Sequence, residues 1–289
     1  MEIRFWGVRG SIAAPGPDTM RIGGNTSCVE VQCGATRIIL DAGTGLRRLG
    51  EGMLGEGRPI EASLLLSHFH WDHIQGLPFF VPAYLAPTRL SVFGPAGGHL
   101  GVKEAIGRQM SAPHFPVGLG DLGARIDWND LEPGARFALG DATVTVAKLN
   151  HPGGVLAYRV EHEGEAIVYA TDTEHYACID PALRALAEGA AILIYDAQYT
   201  PDEYAGTAGR ARVGWGHSTF VAGAEVARAA GVRKLVLFHH DPQRTDDGVR
   251  AIEEGCRELF EDSVAAYEGM TLRTDDARGG ADRRGAKAA

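Results

Sequence analysis

Apolar residues in the first part of the chain fall into short runs punctuated by glycine: Ile3 to Val8, Ser27 to Gln32, Arg37 to Leu40 and Ala62 to Ser67. Runs of this length between turn residues predict strands, several of them buried on both faces. Gly76 to Tyr84 reads as a short helix broken by Pro78 and Pro82, Leu90 to Phe93 as a strand, and Lys103 to Met110 as a helix. The strand pattern resumes at Ala142 to Leu149, Leu156 to His162, Ala166 to Ala170 and Ala191 to Tyr195, with a helix at Pro181 to Glu188. An alanine-rich helix follows at Thr219 to Ala230, capped by Ser218 or Thr219, then a strand at Lys234 to Phe238 and a helix at Gly248 to Phe260.

Two strand-rich halves, each followed by helices, predict two sheets packed face to face with helices outside, a four-layer αββα sandwich of α/β (α+β) class. No linker rich in proline or serine divides the chain, so residues 1–274 are expected to form one domain. Residues 275–289, rich in Arg, Gly, Asp and Ala with almost nothing to bury, are expected to be a disordered tail.

Charge narrows the partners. The 289 residues carry 28 basic and 37 acidic side chains, a net charge of −9, which argues against a general polyanion-binding surface. The four cysteines, Cys28, Cys33, Cys178 and Cys256, have no C-x-x-C spacing and read as reduced thiols packed as small hydrophobes. The chain opens directly into MEIRFWGVRG, and no run reaches membrane-spanning length. A soluble, cytoplasmic protein without a membrane partner is expected, with homodimer formation left open.

The chemistry concentrates in Ser67-His68-Phe69-His70-Trp71-Asp72-His73. A strand ending at Ser67 delivers His68 and His70 from a loop, where alternate side chains share a side. Asp72 and His73 begin a helix and can point back towards a second position. Four such side chains crowded together would otherwise each need a separate partner, so the cluster reads as one loop feeding two adjacent metals.

The H-x-H-x-D-H pattern resembles the metallo-β-lactamase superfamily, whose dinuclear hydrolases follow it with a distant His, Asp and His. The later matches are His151 in NHPGG, Asp172 in YATDTEH and His239 in LVLFHHDP, each just after a predicted strand. The resemblance covers roughly residues 1–270. It implies that His68, His70 and His151 hold one metal, that Asp72, His73 and His239 hold the other, and that Asp172 bridges them. His240 competes with His239, but the residue directly after the strand matches the family position better. Asp41, in LDAGTG, matches an acidic residue that orients the ligand imidazoles. Imidazole and carboxylate donors suit two zinc ions, with manganese or iron acceptable. A histidine at position 70, where di-iron redox members carry glutamate, favours hydrolysis.

Within the superfamily, GHSTFVAGAEVARAAGVRKLVLFHH at 216–240 resembles the H-S-T segment and final ligand strand of the ribonuclease Z-like phosphodiesterase group. His217 then takes the place of a catalytic histidine. YDAQYT at 195–200 stands where that group carries His-Glu-Ala-Thr, so Asp196 replaces the glutamate that orients the histidine, one methylene shorter. Asp72, Asp196 and His217 are the residues expected to act in catalysis. Two cations would bind a phosphodiester and acidify a bridging water, and a His217 imidazolium would protonate the departing oxygen.

Ribonuclease Z grips transfer RNA with a long basic, glycine-rich arm. Here the largest non-core stretch, Gly94 to Asp121, holds only Lys103 and Arg108 as basic residues. With the acidic net charge, this favours a small-molecule phosphodiester such as a cyclic nucleotide and makes extended nucleic acid an improbable substrate. A thioester or lactone hydrolase on the same metal core, and an RNA-processing nuclease, are the alternatives. Arg9, Ser11 and Asn25, in GVRGS and GGNTSC, either meet substrate oxygens or close the first hairpin.

Overall fold

In the segment Thr36–Leu40, Ile38 and Leu40 face one side and Ile39 the other, and all three are buried. A strand apolar on both faces has to lie between two covering layers. The computed structural model, which describes residues 1–96, 100–207 and 209–278, supplies those layers. Its first half contains strands β1 (Glu2–Gly7), β2 (Cys28–Cys33), β3 (Thr36–Leu40), β4 (Glu61–Leu65), β5 (Arg89–Pro95) and β6 (Arg125–Leu131), with helices α1 (Gly45–Gly55), α2 (Trp71–Ile74) and α3 (Val102–Gln109). The second half contains β7 (Arg136–Leu139), β8 (Ala142–Leu149), β9 (Val155–His162), β10 (Glu165–Ala170), β11 (Ile192–Asp196), β12 (Lys234–Phe238) and β13 (Ser263–Ala265). Helices α4 (Pro181–Leu186), α5 (Pro201–Ala205), α6 (Phe220–Ala229) and α7 (Asp246–Leu259) lie between those strands, and β14 (Thr271–Arg273) follows.

The strands form two seven-stranded sheets, ordered β14-β1-β2-β3-β4-β5-β6 and β13-β12-β11-β10-β9-β8-β7. Each is antiparallel on one side and parallel on the other, the parallel blocks being β3 to β6 and β10 to β13. Between the sheets pack Phe5, Val31, Ile38 and Leu40 from the first and Val144, Tyr158, Ile167, Ile194 and Phe238 from the second. Outside the first sheet, Leu46, Leu49 and Met53 of α1 and Ile106 of α3 cover Ile39, Leu64 and Val92. Outside the second, Leu183, Val226 and Ile252 of α4, α6 and α7 cover Val168, Leu193 and Leu235. The expected four-layer αββα sandwich is the fold of this chain.

Four strands lack a counterpart in the sequence pattern, and they are the four sheet edges β6, β7, β13 and β14. Edge strands are short or charged because an apolar edge invites pairing with another chain; β6 reads RIDWNDL. Helix α1 was also hidden, because GLRRLGEGMLG contains four glycines of poor helix propensity. Tertiary packing overrides propensity there: a Cβ on Gly50 would sit 2.8 Å from the Phe80 ring, so glycine lets the helix close on its neighbour. Gly76 to Tyr84 forms two 3-10 turns, Leu77–Phe79 and Val81–Tyr84, where a broken helix was expected. Thr219, whose hydroxyl accepts from the Ala222 N–H, caps α6; Ser218 serves elsewhere.

The expected tail begins too early. Residues 275–278 continue a 3-10 turn, Thr274–Arg278, in which Asp276 accepts the Arg273 N–H at 3.0 Å and Ala277 is buried. The rest of that stretch, 279–289, lies outside the described residues. Among the described residues no helix is long and apolar enough to cross a membrane.

Candidate metal centre

The candidate side chains stand at or just after the C-terminal ends of strands, where open α/β sheets present their loops. Asp41 follows β3, His68 to His73 follow β4, His151 follows β8, Asp172 follows β10, Asp196 ends β11 and His239 follows β12. Among the described residues six non-glycine residues have positive φ, and four of them meet here: Ser11 (63°), Asp41 (62°), Asp172 (50°) and His239 (59°). A left-handed backbone at a non-glycine residue is unfavourable and persists where the surrounding structure over-determines it. In Asp41, Asp172 and His239 the sharp turn brings the side chain back across the strand end.

Three groups of donors result, each with its ligand atoms within 4.8 Å of one another: His68, His70 and His151; Asp72, His73, Asp172 and His239; and Asp172, Asp196, His217 and His239, the last two sharing Asp172 and His239. Asp172 faces both histidine groups. Its Oδ2 lies 3.7 Å from Nε2 of His68 and of His151, while Oδ1 lies 3.2 Å from Nε2 of His73 and of His239. Asp72 Oδ2 lies 3.2 Å from His73 Nε2 and 3.3 Å from His239 Nε2.

These donors fit divalent cations. His68 Nε2 is buried without a hydrogen-bond partner, a costly state unless an ion is what it faces. His70 Nδ1 and His151 Nε2 lie 3.0 Å apart, and His73 Nε2 and His239 Nε2 3.3 Å apart. Ring nitrogens converge in this way around a shared electrophile. No thiolate joins them, because Cys28, Cys33, Cys178 and Cys256 all stand elsewhere as free thiols. A His/Asp set of this kind can hold a dinuclear site.

The far nitrogens are fixed by a second set of contacts. Asp41, fully buried, accepts four hydrogen bonds: from the Ser67 N–H (2.7 Å), the Ser67 hydroxyl (2.8 Å), the His73 ring at Nδ1 (2.8 Å) and the Tyr169 hydroxyl (2.8 Å). The histidine loop and the opposing sheet are thereby tied to one carboxylate. His151 Nδ1 donates to the Gly216 carbonyl (2.8 Å), and His239 Nδ1 to Gln198 Oε1 (3.1 Å). The Ser11 N–H donates to Asp72 Oδ2 (2.7 Å). Gln198, the Ser11 amide and the Gly216 carbonyl escaped the sequence analysis because two are backbone groups and the third is a lone glutamine.

His217 joins the same cluster. Its Nδ1 lies 2.9 Å from Asp196 Oδ2, and its ring stacks on His239 with centroids 4.9 Å apart. Asp196 also accepts the Thr173 and Gln198 N–H groups. Burial opposes a charge on His217, but Asp196 outweighs it and pushes the imidazole up to about 9. His240 faces away: buried, it uses Nε2 to reach the Ala266 carbonyl at 2.9 Å, and burial pushes it down to about 3.

Of the hairpin residues, Arg9 is fully buried and donates to the carbonyls of Gly23, Asp241 and Arg244, which makes it a structural tie. Asn25 pairs with Glu268 at 2.9 Å. Only Ser11 of the three touches the cluster.

A family model described as "Beta-lactamase superfamily domain" matches residues 36–240. A ribonuclease Z of Mycobacterium sp. (strain KMS) is 31% identical over 252 residues, covering 79% of this chain and 81% of that protein. Among solved structures, the metallo-beta-lactamase fold protein YhfI from Bacillus subtilis superposes with a TM-score of 0.69 at 18% identity, over 94% of this chain and 98% of the other. Human tRNase Z, short form, does so with a TM-score of 0.64 at 18% identity, over 95% and 99%. A ribonuclease among the relatives overturns the expectation that extended nucleic acid is an improbable partner. That expectation rested on the lack of a basic arm in Gly94 to Asp121 and on net charge, a sum over the whole surface that does not report the field at one cleft.

Proposed function

The chain belongs to the beta-lactamase superfamily, with ribonucleases Z among its relatives, and on that premise we propose that this metallohydrolase is a phosphodiesterase that cuts RNA. The observation that carries the reading is the His217–Asp196 pair, 2.9 Å apart and directly beside Asp172. Hydrolysis of a thioester or lactone would use the same His/Asp cluster and leave that buried pair without work. RNA replaces the small cyclic nucleotide as the substrate class because the relatives carry the name ribonuclease.

In this reading His68, His70 and His151 would hold one cation and Asp72, His73 and His239 the other, with Asp172 facing both sets. Zinc is the ion we assign, from the predominance of imidazole donors, with manganese or iron as acceptable alternatives because no thiolate excludes them. When bound, such a pair supplies Lewis acidity towards the phosphate and acidifies water. The chain's own residues do the rest. Asp196 takes the Nδ1–H of His217 and fixes the ring, which leaves Nε2–H to be delivered to the alcohol oxygen as the P–O bond breaks. Asp41 holds His73 and the Ser67 backbone so that the loop's donors keep their directions when substrate enters.

Hydrolysis of a short single-stranded RNA, bis(p-nitrophenyl) phosphate, a thioester and a lactone by the zinc-loaded chain tests the proposal. The expected result is a kcat/KM on the two phosphodiesters well above that on the acyl substrates. A preference for the thioester or the lactone would overturn it.

A further inference from the structure

His217 is the last residue of an arm of chain that follows Glu203. Its residues 204–217 hold two arginines, Arg210 and Arg212, and no carboxylate, in a chain of net charge −9. Both guanidinium groups lie over the indole of Trp215, Arg212 at 4.8 Å and Arg210 at 5.5 Å from the ring centroid. Arg212 also lies 5.2 Å over Tyr199, whose ring meets His217 edge-on at 5.9 Å. Trp215 is 43% exposed and its neighbour Val213 54%. The arm therefore keeps a large aromatic face and two cations at the surface within one ring contact of the candidate acid.

The arm is anchored from behind. Glu174, fully buried, accepts the N–H of Gly214 (2.7 Å), the hydroxyl of Tyr204 (2.8 Å) and the N–H of Gly216 (2.8 Å). The Gly216 carbonyl holds His151 at 2.8 Å, and Gly216 has φ +86° with room for no side chain: a Cβ there would lie 2.3 Å from His151 Nδ1. The position of Trp215 is thus referenced to His151 through one residue.

Resting on the RNA phosphodiesterase reading, we propose that Arg210, Arg212 and Trp215 form a subsite for an unpaired nucleotide flanking the scissile phosphodiester. The indole and guanidinium planes offer a base two faces on which to stack, and the guanidinium charges meet its phosphate; stacked aromatics with interleaved arginines are how proteins hold single strands without reading sequence. Charge complementarity favours this occupant, since the arm presents two arginines beside the site and Glu174, the carboxylate that holds Gly214 and Gly216, is buried behind it.

Fluorescence anisotropy of a labelled short single-stranded RNA on the full-length, zinc-loaded chain reads the subsite directly. Trp215→Ala is expected to raise Kd by roughly tenfold, and Trp215→Phe, which keeps an aromatic face, to recover most of that loss. The double variant Arg210→Ala/Arg212→Ala is expected to weaken binding and to lower the slope of log Kd against log salt by about 1. For Trp215→Ala, the ratio of kcat/KM on RNA to that on bis(p-nitrophenyl) phosphate should fall with the affinity. A Kd within twofold of wild type in both the Ala and the double-Ala variants overturns the subsite, as does a loss that Phe leaves uncorrected. Wild-type protein that binds the RNA through these residues but cleaves no phosphodiester supports the subsite and sinks the phosphodiesterase reading alone.

Discussion

The two sheets furnish the site in different ways. The first gives four of its donors from a single loop, His68 to His73, and one buried carboxylate, Asp41, sets that loop's direction through three hydrogen bonds. The second gives His151, Asp172, Asp196 and His239 one at a time from four strand ends, and places His217 just before α6. Each of these has its own support: the Gly216 carbonyl for His151, Gln198 for His239, a left-handed backbone for Asp172 and His239. A site half built on one shared anchor and half on separate ones should fail differently when each half is disturbed.

The shared anchor should give the largest effect. Asp41→Ala leaves the Ser67 amide, the His73 ring and the Tyr169 hydroxyl unsatisfied in a buried space, at about 1–3 kcal/mol for each. Thermal unfolding should show a loss of several kcal/mol, and elemental analysis should show both metals depleted together. If the metals are lost singly, the loop is not governed by one anchor. Asp172→Ala comes next: the fold should survive, because only one strand end changes, while metal content and hydrolysis fall together. Unchanged activity would remove Asp172 from between the two groups.

The same contrast explains what the sequence made legible. The histidine loop could be read directly because its donors are contiguous. His151, Asp172 and His239 are dispersed, and needed a family resemblance to be picked out. The central strands β1 to β5 and β8 to β12 were visible because burial on the inner face, or on both, leaves an apolar run. The edges β6, β7, β13 and β14 were not, since a strand that must avoid pairing carries charge, and α1 was masked by its glycines. The Gly216 carbonyl, the Ser11 amide and the role of Glu174 have no residue-type signature, because backbone groups and through-space anchors emerge only on folding.

Residues outside both sets of donors should give smaller effects. His240 is adjacent to His239 yet bonded to Ala266, so His240→Gln should cost about 1–3 kcal/mol of stability and keep a wild-type metal content. Metal loss in that variant would show that His240 takes part in the site. Ending the chain after Thr274 removes buried Ala277 and the Asp276 contact to Arg273; about 1 kcal/mol of stability should go, with metal content unaltered. A Tm equal to that of the full chain would show that the 3-10 turn contributes nothing.

In the proposed reaction His217 is the acid for a departing alcohol, and leaving-group dependence measures that directly. His217→Ala should keep both metals and lose on the order of a hundredfold in turnover of a phosphodiester with a poor alkyl leaving group. The loss should be far smaller with a nitrophenolate, which departs with little help. Asp196→Ala should follow in the same direction more weakly, and the double variant should be less than additive. Equal losses on good and poor leaving groups, with both metals retained, would contradict the acid role.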